Sequence, residues 1–372
     1  MKTIIVGGGI MGLSTAWALA KSGQDVELFE QGPLPNPLAS SMDEHRLIRH
    51  PYGDHTGYAR MIDDAFVAWD ELWRDLGQRL FAATGTLALT GNGADWALRS
   101  AASLASIERP MTKLSLDELP RRFPMLDPKG VEHAFWIDTG GVLFAQDITA
   151  ALAHHLSHQS NVRLHSYTPI RAVDLELGQV VTETGTVHTA DTVVVAAGAW
   201  VDRLMPAAAG KLVPSRQIVI YFRLPDDQRA AWSKGPMLID KTGEVGLYLV
   251  PPMEGRGMKV GDHEFSRSGD PDGSREATPG EMKPLLDRCA SLLRGFDQWR
   301  LDRLKVCFYT VTDDERFVVE KQGAKGWVMS PCSGHGFKFG ALMGKELART
   351  IVSERDPGQH ARWAAGLEGD TK

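Results

Sequence analysis

The stretch Thr3–Leu13 reads T-I-I-V-G-G-G-I-M-G-L, and its reading decides the fold. Thr3 to Val6 is a short β-branched run, as in a buried strand. Gly7, Gly9 and Gly12 then form G-x-G-x-x-G. The first glycine permits a tight turn, the second lets a pyrophosphate approach the backbone, and the third lets a helix pack closely on a strand. Gly12 to Ser22, G-L-S-T-A-W-A-L-A-K-S, reads as that helix. Its N-terminus, with Ile10 and Met11, offers free N–H groups and a positive dipole end to phosphates. Asp25 to Glu30, D-V-E-L-F-E, reads as a second strand ending on an acid placed to accept hydrogen bonds from ribose hydroxyls. Strand, turn, helix, strand and acid make a dinucleotide site. The motif does not separate a nicotinamide from a flavin dinucleotide.

Downstream, Gln31 to Ser41 reads as a loop with three prolines, and Arg46 to Tyr52 has no clear local assignment. Tyr58 to Leu76 has a strong helical period through Met61, Ile62, Ala65, Phe66, Trp69, Leu72, Trp73 and Leu76. Gly85 to Leu89 reads as a strand, 113–125 as a short helix and loop, and Asp147 to Ser157 as a helix. Strands are expected at Val162–His165, within Val180–Thr189, and at Thr192–Ala196, whose T-V-V-V-A suits a fully buried parallel strand. Ala197 and Gly198 close that strand against the dinucleotide. Further strands are expected at Ile218–Leu224, Leu247–Val250, Met258–Gly261, Val306–Val311 and Trp327–Ser330. Ser266–Pro279 reads as a loop, Pro284–Leu293 as a helix, and Phe337–Ser353 as a closing helix.

The chain has 372 residues, 43% hydrophobic and 24% charged, ample for a sizeable core. Its 41 basic and 47 acidic residues leave a net charge of −6. That excludes the basic footprint of a nucleic-acid binder and a polybasic membrane patch. No apolar run is long enough to span a bilayer, and M-K-T-I-I-V-G-G-G-I lacks the core and cleavage site of a signal peptide. Cys289, Cys307 and Cys332 form no C-x-x-C pair. That argues against a disulfide framework or a metal site and fits a reducing cytoplasm.

Four further segments stand apart. They are H-R-L-I-R-H-P-Y-G at 45–53, M-K-V-G-D-H at 258–263, C-F-Y-T-V-T-D-D-E-R-F at 307–317, and S-P-C-S-G-H-G-F-K-F at 330–339. In order and spacing they resemble the monomeric sarcosine oxidase and N-methyltryptophan oxidase family of D-amino-acid-oxidase-like flavoproteins, which includes bacterial fructosyl-amino-acid oxidases. The resemblance spans nearly the whole chain; S-G-H-G-F-K-F is its specific part. It implies FAD and an α/β (α+β) fold, with a Rossmann-like FAD-binding domain and an inserted substrate domain on a mostly antiparallel sheet. The expected division gives 1–45, 140–212 and 312–372 to the FAD-binding domain, and 46–139 and 213–311 to the substrate domain.

The resemblance also implies an FAD-dependent amine oxidase acting on CH–NH. Hydride passes to the flavin, the imine is hydrolysed, and O2 is reduced to H2O2. Cys307 matches the cysteine that bonds the flavin covalently. Arg49 and Lys338 match the pair that grips the substrate carboxylate, as a guanidinium fork and a point charge can. Lys259 matches the lysine that activates oxygen, and His263 a histidine near substrate and flavin. Tyr248 and Tyr309 match tyrosines of the substrate cavity, Arg46 faces the flavin, and Val173 matches an adenine contact. Gly334, His335, Gly336, Phe337 and Lys338 make a second backbone site for the flavin. Met42-Asp43-Glu44-His45 departs from the family. Asp43, Glu44 and His45 are expected at the site mouth, where they would contact a polar N-substituent such as a fructosyl group. The expected partners are a small-molecule amine and O2, with a monomer preferred over a dimer. The rivals are an FAD dehydrogenase using a quinone or protein acceptor, a non-catalytic dinucleotide-binding subunit, and an NAD(P) dehydrogenase.

Overall fold

The computed structural model describes residues 1–208, 210–353 and 355–367. The glycine turn sits where the sequence puts it. Lys2–Val6 is the strand, Ile10–Lys21 the helix and Asp25–Phe29 the second strand. They belong to a six-stranded sheet in the order Val318–Gln322, Gly326–Ser330, Thr192–Val195, Lys2–Val6, Asp25–Phe29, Val162–His165. All neighbours run parallel except the Val318–Gln322 edge. Side chains alternate between two cores. Ile5, Leu28 and Val194 face a helical layer, whereas Ile4, Val6, Val193 and Val195 face the small antiparallel sheet Ile170–Asp174, Gln179–Thr182, Val187–Thr189. Burial on both faces accounts for the unbroken apolar runs of these strands.

The helical layer contains Ile10–Lys21, Thr56–Leu76, Ala145–Ser157 and Gly340–Val352. The expected boundary at residue 46 would place Thr56–Leu76 with the substrate domain, yet its apolar face packs in this first core. Residues 368–372 of the expected FAD-binding domain lie outside the described residues.

A second, eight-stranded sheet has the order Arg300–Val311, Val213–Arg223, Met258–Asp262, Leu247–Val250, Met237–Lys241, Thr86–Thr90, His133–Ile137, Thr112–Leu114. It is antiparallel except between Met237–Lys241 and Thr86–Thr90. Met258, Val260, Leu247, Leu249, Val306 and Phe308 pack on the helix Pro279–Leu292 side. Alternation therefore turns Lys259, Tyr248, Cys307 and Tyr309 to the opposite face, toward the first sheet. Arg46–Ile48 forms a further small sheet with Gly141–Leu143 and Phe81–Ala83.

Several local expectations shift. The helix expected from Pro284 begins at Pro279, because Thr278 and Glu281 form a reciprocal cap; Pro284 lies inside it. At 113–125 the expected short helix is Leu119–Arg122, and a strand, Thr112–Leu114, stands before it. The closing helix opens with a 3-10 turn at Phe337–Phe339 and is followed by Pro357–Ala364. Trp96–Ser106 carries no strong sequence period, since it buries only Ala97, Ser100 and Leu104. No helix among the described residues is long and apolar enough to cross a membrane.

Candidate active site

A cavity of about 780 Å3 runs between the carboxyl ends of the first sheet and the exposed face of the second. Ligands of open α/β sheets bind in this position, where the strand order reverses beside the first strand. At one end Gly7, Gly9, Ile10 and Met11 line it. Gly12 does not, because it packs inward: a Cβ there would lie 1.9 Å from the Gly7 carbonyl oxygen. The Glu30 carboxylate also lines the cavity. It accepts the Gly8 amide at 2.8 Å, the Gly32 amide at 3.0 Å and the Asn36 side chain at 2.8 Å. Ala197 and Gly198 line the wall as expected, but Val173 does not; it packs beneath the first sheet, and Ile170 on the same strand reaches the cavity instead.

The far end is built from Gly334, His335, Gly336, Phe337 and Lys338 on one side and the second sheet on the other. Gly334 has φ +73°, a left-handed conformation that favours glycine. A dipole end, a buried acid one strand away, and a cationic, aromatic far wall fit FAD. Gly7, Gly9, Ile10 and Met11 would hold its phosphates, Glu30 its ribose, and Arg46, Lys259 and the 334–338 segment its flavin end.

Two pairs of cations face this cavity. The first is Arg46 and Lys259. Behind them lies Asp43, 2% exposed, which accepts hydrogen bonds from Lys259 Nζ at 2.5 Å, from Arg46 Nη1 and from the Tyr221 hydroxyl. Burial alone would raise the Asp43 carboxyl, but Arg46, Lys259 and Lys305 hold it well below the usual carboxylate range. Burial, aided by Arg46, brings Lys259 down to about 8 against the pull of Asp43. Asp43 and His45 are therefore not at the mouth. His45 is fully buried against Tyr221, and burial lowers its pKa to about 3. The cause is the chain turn into the Arg46–Ile48 strand, which drives 43 and 45 inward and leaves half-buried Glu44 paired with Arg303.

The second pair is Arg49 and Lys338. Arg49 is half-buried with its guanidinium over the rings of Tyr52, at 4.7 Å, and Trp96, at 5.4 Å, and its Nη1 has no hydrogen-bond partner. Lys338, 4% exposed, donates to the Tyr52 hydroxyl at 2.9 Å and to the His335 carbonyl at 2.9 Å. Among the described residues neither forms a salt bridge. Burial lowers Arg49, while burial and the neighbouring Arg49 push Lys338 well below its ordinary value. His335 bonds the Glu315 carbonyl through Nε2 at 3.0 Å and Tyr52 through Nδ1 at 3.2 Å. A carbonyl only accepts, so Nε2 carries the proton and Nδ1 accepts from Tyr52. Burial keeps this imidazole neutral.

His263 lies on the cavity and meets the Glu315 carboxylate at 3.2 Å, a contact that lowers the Glu315 pKa. Tyr248 and Tyr309 line the wall as expected. Cys307 sits on the same sheet face as Tyr309, is buried, and does not line the cavity; burial raises its thiol despite Arg46 nearby. Cys332 does line the cavity. Tyr52, Trp96 and Glu315 escaped the sequence reading. Tyr52 stands inside the H-P-Y-G turn, which marks a turn but not the ring's partners, and Glu315 occupies a left-handed position, φ +60°, with no sequence signal.

Residues 2–350 match the family DAO, FAD dependent oxidoreductase. The chain is 27% identical over 365 residues to a monomeric sarcosine oxidase of Bacillus sp. (strain NS-129), covering 94% of this chain and 92% of that one. It is 24% identical over 369 residues to N-methyl-L-tryptophan oxidase of Yersinia pestis (strain Pestoides F), covering 95% of each. Its fold matches that of a modified fructosyl peptide oxidase of Aspergillus nidulans with a TM-score of 0.83 at 22% identity, over 99% of this chain and 93% of that one. These matches bear out the resemblance read from the motifs and the enzyme class that it implied. The chain belongs to the DAO family of FAD-dependent oxidoreductases.

Proposed function

We propose that this protein oxidises an N-substituted α-amino acid, a secondary amine, and returns the electrons to O2 as H2O2. The observation that carries the reading is the second cation pair. Arg49 and Lys338 face the cavity with no salt-bridge partner among the described residues, and Glu315 acts on Arg49 only from a distance. Uncompensated charge at low dielectric is costly, and a substrate carboxylate would neutralise it. Relatives named for sarcosine and N-methyltryptophan support a carboxylate-bearing secondary amine.

FAD, held by Gly7, Gly9, Ile10, Met11, Glu30 and the 334–338 segment, would supply the acceptor for a hydride from the carbon beside the amine nitrogen. The residues of the chain bind and orient. Arg49 presents a fork to the carboxylate, and Lys338 has a third N–H beyond its two protein bonds. Tyr248, Tyr309 and His263 bound the space where the amine would lie. Lys259 supplies fixed positive charge for oxygen reduction. No side chain is assigned as general base.

A polar N-substituent fits the charged residues beyond Arg49, namely Asp54, His55, Arg99 and Lys241. The candidate is a glycated amino acid, now without Asp43 and His45 as its contacts. Cys307 remains the proposed covalent anchor, and a monomer in a reducing cytoplasm the proposed setting; all three cysteines are free thiols. The test is anaerobic flavin bleaching by sarcosine, N-methyl amino acids, pipecolate and fructosyl amino acids. Bleaching by none of them sinks the reading. Yellow colour that leaves the denatured chain, in the parent and in Cys332→Ala alike, sinks the covalent link.

A further inference from the structure

The loop from Ser40 to His45 is stitched to everything around it. Ser41 accepts the Ile10 amide at 2.9 Å, at the start of the first helix. The Ser40 carbonyl accepts from Arg46 Nη2 at 2.6 Å. The Met42 carbonyl accepts from Lys305, and Glu44 pairs with Arg303 on the outermost strand of the second sheet. At the centre of these ties Asp43 receives Lys259, Arg46, Tyr221 and the Glu44 amide, all at once. The Lys259 ammonium gains a further bond to the His45 carbonyl at 3.0 Å. Asp43 does not reach the cavity; Lys259 and Arg46 do. Among the described residues only these two cations on the wall have an internal carboxylate behind them.

We propose that Asp43 is a positioning residue for the oxidative half of the reaction. Its carboxylate holds the Lys259 ammonium, and beside it the Arg46 guanidinium, at the wall where oxygen is reduced. The proposal rests on the reading that bound FAD is reoxidised by O2. In that step the reduced cofactor gives up two electrons. O2 takes them with two protons, one from the reduced cofactor and one from solvent, and leaves as H2O2. The first electron makes superoxide, an anion, so a fixed cation lowers the barrier. An untethered lysine would lose its position, and in a dry site its proton too.

The groups facing Lys259 set the direction of the pH effect. They are Asp43 and His45 from the loop, Arg46 from its strand, Tyr221 and Tyr248 from neighbouring strands, and Cys307 from Arg300–Val311. Burial and Arg46 disfavour the ammonium, and among the described residues Asp43 is the carboxylate in contact with it. Removing Asp43 therefore lets the ammonium deprotonate at lower pH.

The test uses holoenzyme reduced with dithionite, so that it needs no amine substrate, then mixed with oxygenated buffer. Asp43→Asn is expected to slow reoxidation at least about tenfold more than it slows anaerobic reduction by a substrate amine. The alkaline limb of the reoxidation rate should move down by about 1 pH unit or more. Asp43→Glu should restore part of both. A readout without turnover is the urea-midpoint cycle of Asp43→Asn, Lys259→Met and the double variant, expected to be non-additive. Equal slowing of both half-reactions, or an unmoved alkaline limb, overturns the proposal. If Asp43→Asn does not fold, Asp43→Glu is read alone, and an unchanged reoxidation rate there overturns it. A parent chain that no amine bleaches, but whose reoxidation depends on Asp43, refutes the amine reading and upholds this one. A reduced parent chain indifferent to O2 overturns this one.

Discussion

Arg46 with Lys259, and Arg49 with Lys338, are two cation pairs on one cavity with opposite electrostatic designs. The first is closed: Asp43 sits behind it, so its charge belongs to the folded protein whether or not anything is bound. The second is open. Aromatic rings and a neutral histidine surround it, Glu315 acts on Arg49 without touching it, and an anion in contact must come from outside. A closed pair serves a charge that appears and disappears during chemistry. An open pair serves a charge that arrives with a molecule.

Removing the anion from the closed pair should cost most. Asp43→Asn leaves two cations facing each other and should destabilise the fold by about 3–5 kcal/mol, read from urea midpoints. A loss under about 1 kcal/mol would mean the pair is not closed in solution. On the open side, Lys338→Met should lower kcat/KM for carboxylate amines by about 2–5 kcal/mol, roughly 30- to 4,000-fold. Its folding stability should be unchanged or raised, since it deletes an unpaired buried charge. Steady-state kinetics with an amine and its carboxylate-free analogue, beside a melting curve, would separate the two effects. Tyr52→Phe removes the hydroxyl between Lys338 and His335 and should raise KM about tenfold, near 1–1.5 kcal/mol.

The smallest effect is a proton. Lys338 is held well below its ordinary pKa in the free site. A carboxylate favours the ammonium, so binding raises that pKa and takes up a proton at pH values between the two. Affinity should then fall by about tenfold per pH unit through that window. Calorimetry of a substrate analogue in buffers of differing ionisation enthalpy measures the uptake. Zero uptake across neutral and alkaline pH would mean that Lys338 keeps its charge in the free site.

The closed pair was half legible in the sequence and the open pair almost wholly so. Lys259, Arg46, Arg49 and Lys338 stand in the segments that carry the family resemblance, which is what singled them out. Asp43 could not be placed, because its partner Lys259 is far along the chain and a polar run before a strand looks like a solvated mouth. The glycine turn was legible because strand, turn and helix are contiguous. Met237–Lys241 was not, since five residues of M-L-I-D-K show no period and only pairing with Leu247–Val250 on one side and Thr86–Thr90 on the other makes them a strand. Val173 missed by three residues: either reading of that strand looks apolar, and only the fold shows that Ile170 faces the cavity.

The first helix also packs against the helix Gly340–Val352, so closely that a Cβ on Gly344 would lie 2.4 Å from the Ser14 carbonyl carbon. The 3-10 turn leading into the later helix and the N-terminus of the first both border the cavity. During synthesis the glycine turn is made long before its packing partner. A nascent chain halted before residue 334 therefore lacks the 334–338 half of the cofactor cradle, and flavin capture waits for that segment.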